Sequence, residues 1–416
     1  MRSNIVLRVT WIFVVATLVL VTANNAWSAS YKVLHVFRGN AIGPSSGLAV
    51  DTAGNAYGTA FAGGNFGGHG GAVYRLSPTK GFSVLYNFNA PPDGIAPQGN
   101  LVIDSAGNLY GTTVYGGANK TGCNGHGCGT VFELSPPISK GGSWTETILY
   151  SFTGGDDGAN PQAGVILDSA GNLYGTTENG GNLGAGTVFE VTNSGNGQWV
   201  ESVIYSMDDG ALPMGSLVFD ATGNLYSTTF EFGGGGGNVF ELFPEVGGGW
   251  GYVRLYAFME GTKDGFAPEA GVILDSSGSL YGTTAFGGQF GFGTVFKLTP
   301  DAGTWTETIL YNFAGGKDGA TPRAGLVFDP AGNLYSTTFE GGNASPKACQ
   351  GNGCGTAFEL TPGTSGLWTE RLFAFPQDGH LGIEPAASLL LDATGRAYGT
   401  TTSGGEGIGV VFRITP

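Results

Sequence analysis

Apolar residues in this chain occur in short runs that are separated by glycine-rich turns. Four such runs follow one another at 163–167, 172–177, 186–190 and 199–205. The first run is continuously apolar, as in a strand covered on both faces, and the others mix apolar residues with Thr, Glu and Ser, as half-buried strands do. No segment of ten or more residues after residue 28 carries a glycine-free helical period. The pattern therefore predicts groups of four β-strands and no helices.

The strand groups recur with the motif Asp-x-x-Gly-x-x-Tyr, which suits a tight turn followed by a strand. Its spacing averages about 57 residues, slightly above that of the common propeller repeats. Four-stranded units in seven copies predict an all-β, seven-bladed β-propeller. The seven copies begin at Asp51, Asp104, Asp168, Asp220, Asp275, Asp329 and Asp392.

The two ends of the repeat array complement each other. The last copy stops at its third strand, residues 410–414, whereas residues 31–37 have the fourth-strand pattern of 146–152 with no partner strands before them. We therefore expect the N-terminal strand to complete the last blade and close the ring. An open solenoid would need polar caps instead.

The repeat units resemble a known family. The stretch Leu-Val-Ile-Asp-Ser-Ala-Gly-Asn-Leu-Tyr-Gly-Thr-Thr at 101–113, followed by Gly-Thr-Val-Phe-Glu-Leu at 129–134, is similar to the unit of the GloVer tandem-repeat family. The resemblance covers essentially the whole chain after the first 28 residues. It implies an exported bacterial protein, and the family often carries a C-terminal sorting anchor. This sequence shows no such anchor, so surface attachment stays open, and the resemblance implies no particular chemistry.

Residues 1–28 have the features of a secretory signal peptide. Arg2 and Arg8 precede an apolar stretch at 9–21, and small residues allow cleavage after Ser28. This leaves 29–416 as a single propeller domain with no second hydrophobic segment. We therefore expect a secreted or periplasmic protein without a membrane span.

Charge narrows the choice of partners. The full chain has a net charge of −15, and loss of the two arginines gives −17. A protein this acidic lacks the basic face that nucleic acid requires, so we expect no nucleic-acid partner. An extracellular polysaccharide or protein remains a candidate partner, and we expect a monomer.

The four cysteines lie in two equivalent insertions between second and third strands, Cys123 to Cys128 and Cys349 to Cys354. In an exported protein, pairs with this spacing indicate two local disulfides. A four-cysteine zinc site would need different spacing and would have to join loops three blades apart.

The connectors between blades carry a repeated Asp-Gly followed by Pro. Because each connector leads into an inner strand, we expect its aspartate to belong to a ring around one mouth of the channel. One interpretation is a ring that binds a cation or a polar ligand; the other is that Asp-Gly only forms a turn. The acidic doublets at 156–157 and 208–209 are candidates for calcium, and no other cofactor is indicated. The six aspartates are Asp93, Asp157, Asp209, Asp264, Asp318 and Asp378.

No catalytic motif stands out. Gly-Pro-Ser-Ser-Gly at 43–47 matches a hydrolase pattern, but it lies in a connector and not between a strand and a helix. We therefore expect a non-enzymatic scaffold that binds an extracellular ligand on the face of its long loops. The alternatives are a carbohydrate-active lyase or hydrolase, for which Glu269 and Glu384 are the extra carboxylates at the mouth, and a structural envelope component.

Overall fold

The computed structural model describes residues 29–415 except 40, 66, 120–121, 209–210, 232–234, 262, 343–348, 365, 377–380 and 406–407. The predicted signal segment and two of the six connector aspartates, Asp209 and Asp378, lie outside the described residues.

Seven antiparallel four-stranded sheets form a ring, which confirms the predicted seven-bladed propeller. The second strands are Ala56–Gly63, Leu109–Thr113, Leu173–Thr177, Leu225–Glu231, Leu280–Thr284, Leu334–Thr338 and Ala397–Thr401, in blades one to seven. The third strands are Ala72–Ser77, Thr130–Ser135, Thr187–Asn193, Asn238–Pro244, Thr294–Asp301, Thr356–Pro362 and Val410–Thr415. The fourth strands are Gly81–Asn87, Thr145–Ser151, Trp199–Ser206, Trp250–Ala257, Thr304–Asn312, Trp368–Ala374 and Ser30–Val36.

The innermost strand of each blade is short and interrupted, unlike the continuous strand predicted at 163–167. In blade three only Ile166–Leu167 pairs with the second strand, and Ala163 and Gly164 before it line the channel cavity. The equivalent pieces are Ala49–Val50, Val102–Ile103, Val218–Phe219, Ile273–Leu274, Val327–Phe328 and Leu390–Leu391. A second piece occurs earlier in the connector at Ala41–Pro44, Gly94–Ile95, Ala211–Leu212, Gly265–Phe266 and Gly319–Ala320. In three blades this piece pairs with a short extension of the second strand at Tyr115–Gly116, Phe286–Gly287 or Glu340–Gly341.

The N-terminal strand closes the ring. Ser30–Val36 pairs antiparallel with Val410–Thr415 and forms the fourth strand of blade seven, as predicted. Tyr31 lies in the centre of this contact, where its ring packs on Phe373, Phe375 and Phe412 at centroid distances of 5.3, 5.7 and 5.6 Å.

The repeated Asp and Tyr of the motif hold the turn between first and second strands. In blade seven, Oδ1 of Asp392 accepts hydrogen bonds from the backbone N–H groups of Thr394 and Arg396, and Oδ2 accepts one from the Tyr398 hydroxyl at 3.1 Å. Burial opposes ionisation of Asp392, but these hydrogen bonds outweigh it and lower the carboxyl pKa. The tyrosine-to-aspartate bond recurs in all seven blades.

A ring of threonine hydroxyls joins neighbouring blades near the axis. The threonine after Tyr-Gly or Tyr-Ser in each second strand donates to a backbone carbonyl in the inner segment of the next blade. In blade seven this donor is Thr400, and its acceptor is the carbonyl of Ser46, in blade one, at 2.9 Å. The side-chain bonds therefore run in one direction around the whole ring.

Glycine before each third strand allows the blades to approach closely. Gly129 has a φ of 100°, and a Cβ there would lie 2.6 Å from Cδ of Pro161, the connector proline of the next blade. The connector prolines are thus packed against the preceding blade, which fixes where the residues after them enter the channel.

Candidate functional site

The connectors and the loops between second and third strands meet on one face of the ring, which we call the connector face. Just before the connector proline, the backbone takes a left-handed conformation, with φ of 60° at Ala96, 57° at Asn160, 58° at Ala267, 55° at Thr321 and 59° at Glu384. Non-glycine residues adopt this conformation at a cost, and such strain clusters at functional sites.

Hydrogen bonds from two blades hold each of these strained residues. Asn160, for example, donates from its N–H to the carbonyl of Cys128 in the preceding blade, and its own carbonyl accepts from the N–H of Glu178. The loop of one blade therefore sets the path of the next connector, which aims the residue after the proline at the axis.

The residues after the connector prolines line a cavity of about 390 Å³ at the axis. The residue type at this position differs between most blades, although the proline before it is present in all seven. Its seven occupants are half-buried, and they are Ser45, Gln98, Gln162, Met214, Glu269, Arg323 and Ala386.

An ion pair joins two of these neighbours across the boundary of blades five and six. Nε of Arg323 lies 3.5 Å from Oε1 of Glu269, and the Glu269 side chain is only 20% exposed. Burial raises the pKa of Glu269, and the Arg323 guanidinium opposes this rise. The guanidinium carbon also lies 4.5 Å from the ring centroid of Phe339, so an aromatic face holds the arginine in place.

Two polar atoms at the mouth are buried without a hydrogen-bond partner among the described residues: Oγ of Ser45 and Nε of Arg323, whose contact with Glu269 is an ion pair and not a hydrogen bond. Gln162, in contrast, donates to Oε2 of Glu178 at 2.7 Å, which leaves its carbonyl oxygen available. Buried polar atoms normally find partners, so unpaired donors at a cavity wall are suited to a polar ligand.

The four described connector aspartates do not line the channel, so the predicted ring around its mouth is wrong for Asp93, Asp157, Asp264 and Asp318. Each lies at the outer start of its connector, where Oδ2 accepts a hydrogen bond from a fourth-strand tyrosine at 2.9 to 3.2 Å. The connector is long enough to run from the rim of the ring to its axis, and the aspartate is at the rim end. A ligand-binding role for them stays a prediction.

These aspartates form contacts between fourth strands that we call acid seams. Each acid seam contains a tyrosine, the connector aspartate and a glutamate from the next blade. Burial, with the aspartate adding to it, raises the glutamate pKa to about 7 in three seams and to about 8 at Glu370. The acid seams are Tyr86–Asp93–Glu146, Tyr150–Asp157–Glu201, Tyr256–Asp264–Glu307 and Tyr311–Asp318–Glu370.

The other three contacts between fourth strands are stacked ring pairs. Tyr205 stacks on Tyr252 at 4.4 Å, Phe373 on Tyr31 at 5.3 Å, and His35 on Phe82 at 3.6 Å. Neither type of seam was predicted from the sequence.

Both predicted disulfides are present, Cys123–Cys128 and Cys349–Cys354, and each closes one loop on the connector face. They indicate an oxidising compartment. Within the described part of the chain, no group of three or more His, Cys, Asp or Glu side chains is arranged to hold a metal ion. Across the same residues, no helix is long and apolar enough to span a membrane.

Comparison with protein families identifies the repeat. The model of the Gloeobacter/Verrucomicrobia repeat matches residues 124–349, just over half of the chain. The chain belongs to this family. The Gloeobacter/Verrucomicrobia repeat match confirms the resemblance inferred from the motif, and no curated protein matches the chain.

Solved structures similar to this member of the Gloeobacter/Verrucomicrobia repeat family share its fold at low identity. A protein of Bacteroides fragilis, provisionally assigned as a 6-phosphogluconolactonase, superimposes with a TM-score of 0.51 at 14% identity, over 81% of this chain and 86% of its own. A Bacteroides uniformis protein with the same provisional assignment gives a TM-score of 0.50 at 16% identity, over 82% and 88%. At these identities the likeness shows the fold alone.

The sequence contains a signal for the channel site that goes beyond its carboxylates. Once connector prolines are aligned, the residue after them varies between Ser, Gln, Met, Glu, Arg and Ala, whereas the proline itself is present in all seven copies. Glu269 was predicted through its carboxylate, whereas Glu384, which was predicted with it, does not line this cavity. Arg323, Gln98 and Gln162 were not predicted, because the prediction for the mouth rested on carboxylates alone.

Proposed function

We propose that this protein is an exported binding propeller that takes a saccharide at the channel mouth. The observation that carries the proposal is the position after each connector proline, which varies between blades, faces the cavity and bears amides, a hydroxyl and an ion pair. A polyhydroxylated ligand needs donors and acceptors in a rigid arrangement, and the proline-fixed connectors supply one.

The balance of charge favours a neutral ligand. Arg323 is the one cation among the described lining residues, and Glu269 already neutralises it. A phosphorylated or otherwise strongly anionic ligand would lack an unpaired counter-charge there. The two disulfides support export, and the site of an exported protein would be accessible to extracellular glycans.

Binding to a glycan array, with isothermal titration calorimetry on any glycan retained, tests this proposal. Arg323→Gln and Glu269→Gln are expected to weaken binding at least ten-fold. Asp301→Asn, at an exposed hairpin end between third and fourth strands, is the matched control and should bind like the parent. Equal binding by all four proteins would show that the channel mouth is not the site.

A hydrolase acting on a sugar ester or glycoside is the second candidate, because Glu269 lines the cavity and an ionised carboxylate whose pKa is raised by burial suits general base catalysis. The provisional lactonase assignments of the two Bacteroides proteins are a reason to include lactones in the substrate panel. Turnover that disappears in Glu269→Gln would support this candidate. Binding without release of reducing sugar or opening of a lactone would reject it.

A further inference from the structure

A second cavity on the connector face shares no lining residue with the channel. It encloses about 420 Å³ between blades one and two, and we call it the aromatic pocket. Its walls are formed mainly by Phe61, His69, Ile95, Ala96, Tyr115 and His126.

Regular structure holds the rings of this pocket in place. Tyr115 belongs to the short strand Tyr115–Gly116, which pairs with Gly94–Ile95 in the floor. His126 lies in the loop closed by the disulfide Cys123–Cys128, and its carbonyl accepts a hydrogen bond from the N–H of Gly116 at 2.9 Å. The centroids of the His126 and Tyr115 rings are 5.9 Å apart. Backbone contacts therefore fix the positions of Tyr115 and His126 in the pocket wall.

Blade six contains the same loop with different chemistry. There the N–H of Gly341 donates to the carbonyl of Asn352 at 2.8 Å, so Asn352 takes the place of His126 and Glu340 takes the place of Tyr115. The Asn352 amide donates to Oε1 of Glu340 at 3.0 Å, which satisfies both side chains. The disulfide loop thus does not require rings at these positions, and the aromatic residues of blade two need another explanation.

The pocket chemistry selects a ligand class. No lining side chain carries a formal charge with His neutral, and the His69 and His126 side chains are both exposed and so accessible to a ligand. A charged ligand would lose hydration without a counter-charge, and an aliphatic chain would make no use of the two imidazoles as hydrogen-bonding groups. A pyranose ring has an apolar C–H face that packs on an aromatic ring and a rim of hydroxyls that can bond to imidazole nitrogens. Phe61, which is 38% exposed, offers a second apolar surface.

We propose that the aromatic pocket is a second saccharide site, which binds one uncharged pyranose ring against Tyr115, with His69 and His126 bonding to its hydroxyls. This goes beyond the proposed function, since it assigns the same ligand class to a separate site. The two sites can be tested independently because they share no residues.

The test uses the disulfide-intact protein and isothermal titration calorimetry with maltohexaose, cellohexaose, xylohexaose and mannohexaose. Tyr115→Ala and His126→Asn are expected to weaken binding of at least one of these at least ten-fold, whereas Tyr115→Phe should keep it. Glu340→Ala and Asn352→Ala change the equivalent positions of blade six and are the matched controls, expected to bind like the parent. Unchanged urea midpoints would show that the variants are folded.

The channel variants separate the two proposals. Loss of binding in the pocket variants alone supports the aromatic pocket and contradicts the channel site, and loss in the channel variants alone does the reverse. Loss in both sets supports both sites. Indole, an aromatic ring without hydroxyls, is titrated in parallel as a second probe. Saturable binding of indole with no binding of any hexasaccharide, or no saturable binding at all, overturns the aromatic pocket as a saccharide site.

Discussion

Replacing Glu370 with glutamine is expected to stabilise the protein at alkaline pH and to leave it no more stable at pH 5. Glu370 belongs to the acid seam between blades five and six, where the Tyr311 hydroxyl lies 2.8 Å from its Oε2 and 3.2 Å from Oδ2 of Asp318. Two carboxyl groups at one seam are favourable only while one of them keeps its proton. Glutamine cannot ionise, and its amide can still donate to Asp318.

The size of the effect follows from the shift in proton binding. Burial, with Asp318 as a second cause, raises the pKa of Glu370 from 4.5 to about 8. Because the folded-state pKa lies above the unfolded value, the group contributes its full stability below about pH 4.5 and loses it as the pH rises through about 8. At about 1.4 kcal/mol per pKa unit the ceiling is about 5 kcal/mol, and relaxation with water entry reduces the expected loss to about 2 kcal/mol.

Urea unfolding at pH 5, 7 and 9 measures this loss in the parent and in Glu370→Gln. The variant should gain about 2 kcal/mol relative to the parent between pH 5 and pH 9. The other acid seams are the same in both proteins, so the difference reports on Glu370. Glu245→Gln, at an exposed hairpin of blade four, should follow the parent. Parallel pH profiles for parent and Glu370→Gln would refute the idea that this seam holds a proton.

Three further predictions concern closure and cross-linking. Tyr31→Ala should lower the free energy of unfolding in urea by about 3 to 4 kcal/mol, because it removes a ring packed on three others at the closing strand. Lys32→Ala, on the exposed side of the same strand, is the control and should lower it by under about 0.5 kcal/mol. Thr400→Val should cost about 1 to 2 kcal/mol by the same measurement, since it leaves the Ser46 carbonyl unpaired, and no loss would contradict the threonine ring as a stabilising feature. Non-reducing peptide mapping should recover Cys123 linked to Cys128 and Cys349 linked to Cys354, and crossed links would contradict the placement of these loops on separate blades.

The fold was predictable because every copy of the repeat contains the same motif, which forms the same turn and strand. Asp392 and Tyr398 occupy motif positions whose spacing alone indicates a turn and a strand, and their hydrogen bonds explain why both recur. Closure was predictable as well, since 31–37 matches a fourth strand and the last copy lacks one.

Radial position could not be predicted from the repeat. Asp318 and Arg323 are five residues apart in one connector. Asp318 accepts a hydrogen bond from Tyr311 in the outer strand of blade five, whereas Arg323 faces the axis. The path between them depends on the left-handed Thr321 and on its bond to the preceding blade, from its N–H to the carbonyl of Phe292. A pattern within one repeat carries no information about such contacts between repeats.

The seams could not be predicted for the same reason. Tyr311 and Glu370 are 59 residues apart, and their contact depends on how two fourth strands lie beside each other. Each residue alone has the composition of an ordinary half-buried strand position. Only the structure shows that some neighbouring blades meet through carboxyl groups and others through rings.

The one-way ring of threonine hydroxyls has an evolutionary consequence. Every blade offers a donor on one side and an acceptor on the other, so a whole repeat gained or lost by recombination would leave no orphaned partner near the axis. The perimeter is different, because the stacking of Tyr205 on Tyr252 requires two particular neighbours. Gene duplication therefore can add blades because the threonine hydrogen bonds near the axis are interchangeable. The contacts between fourth strands are not, since they diverged to fit particular neighbouring blades.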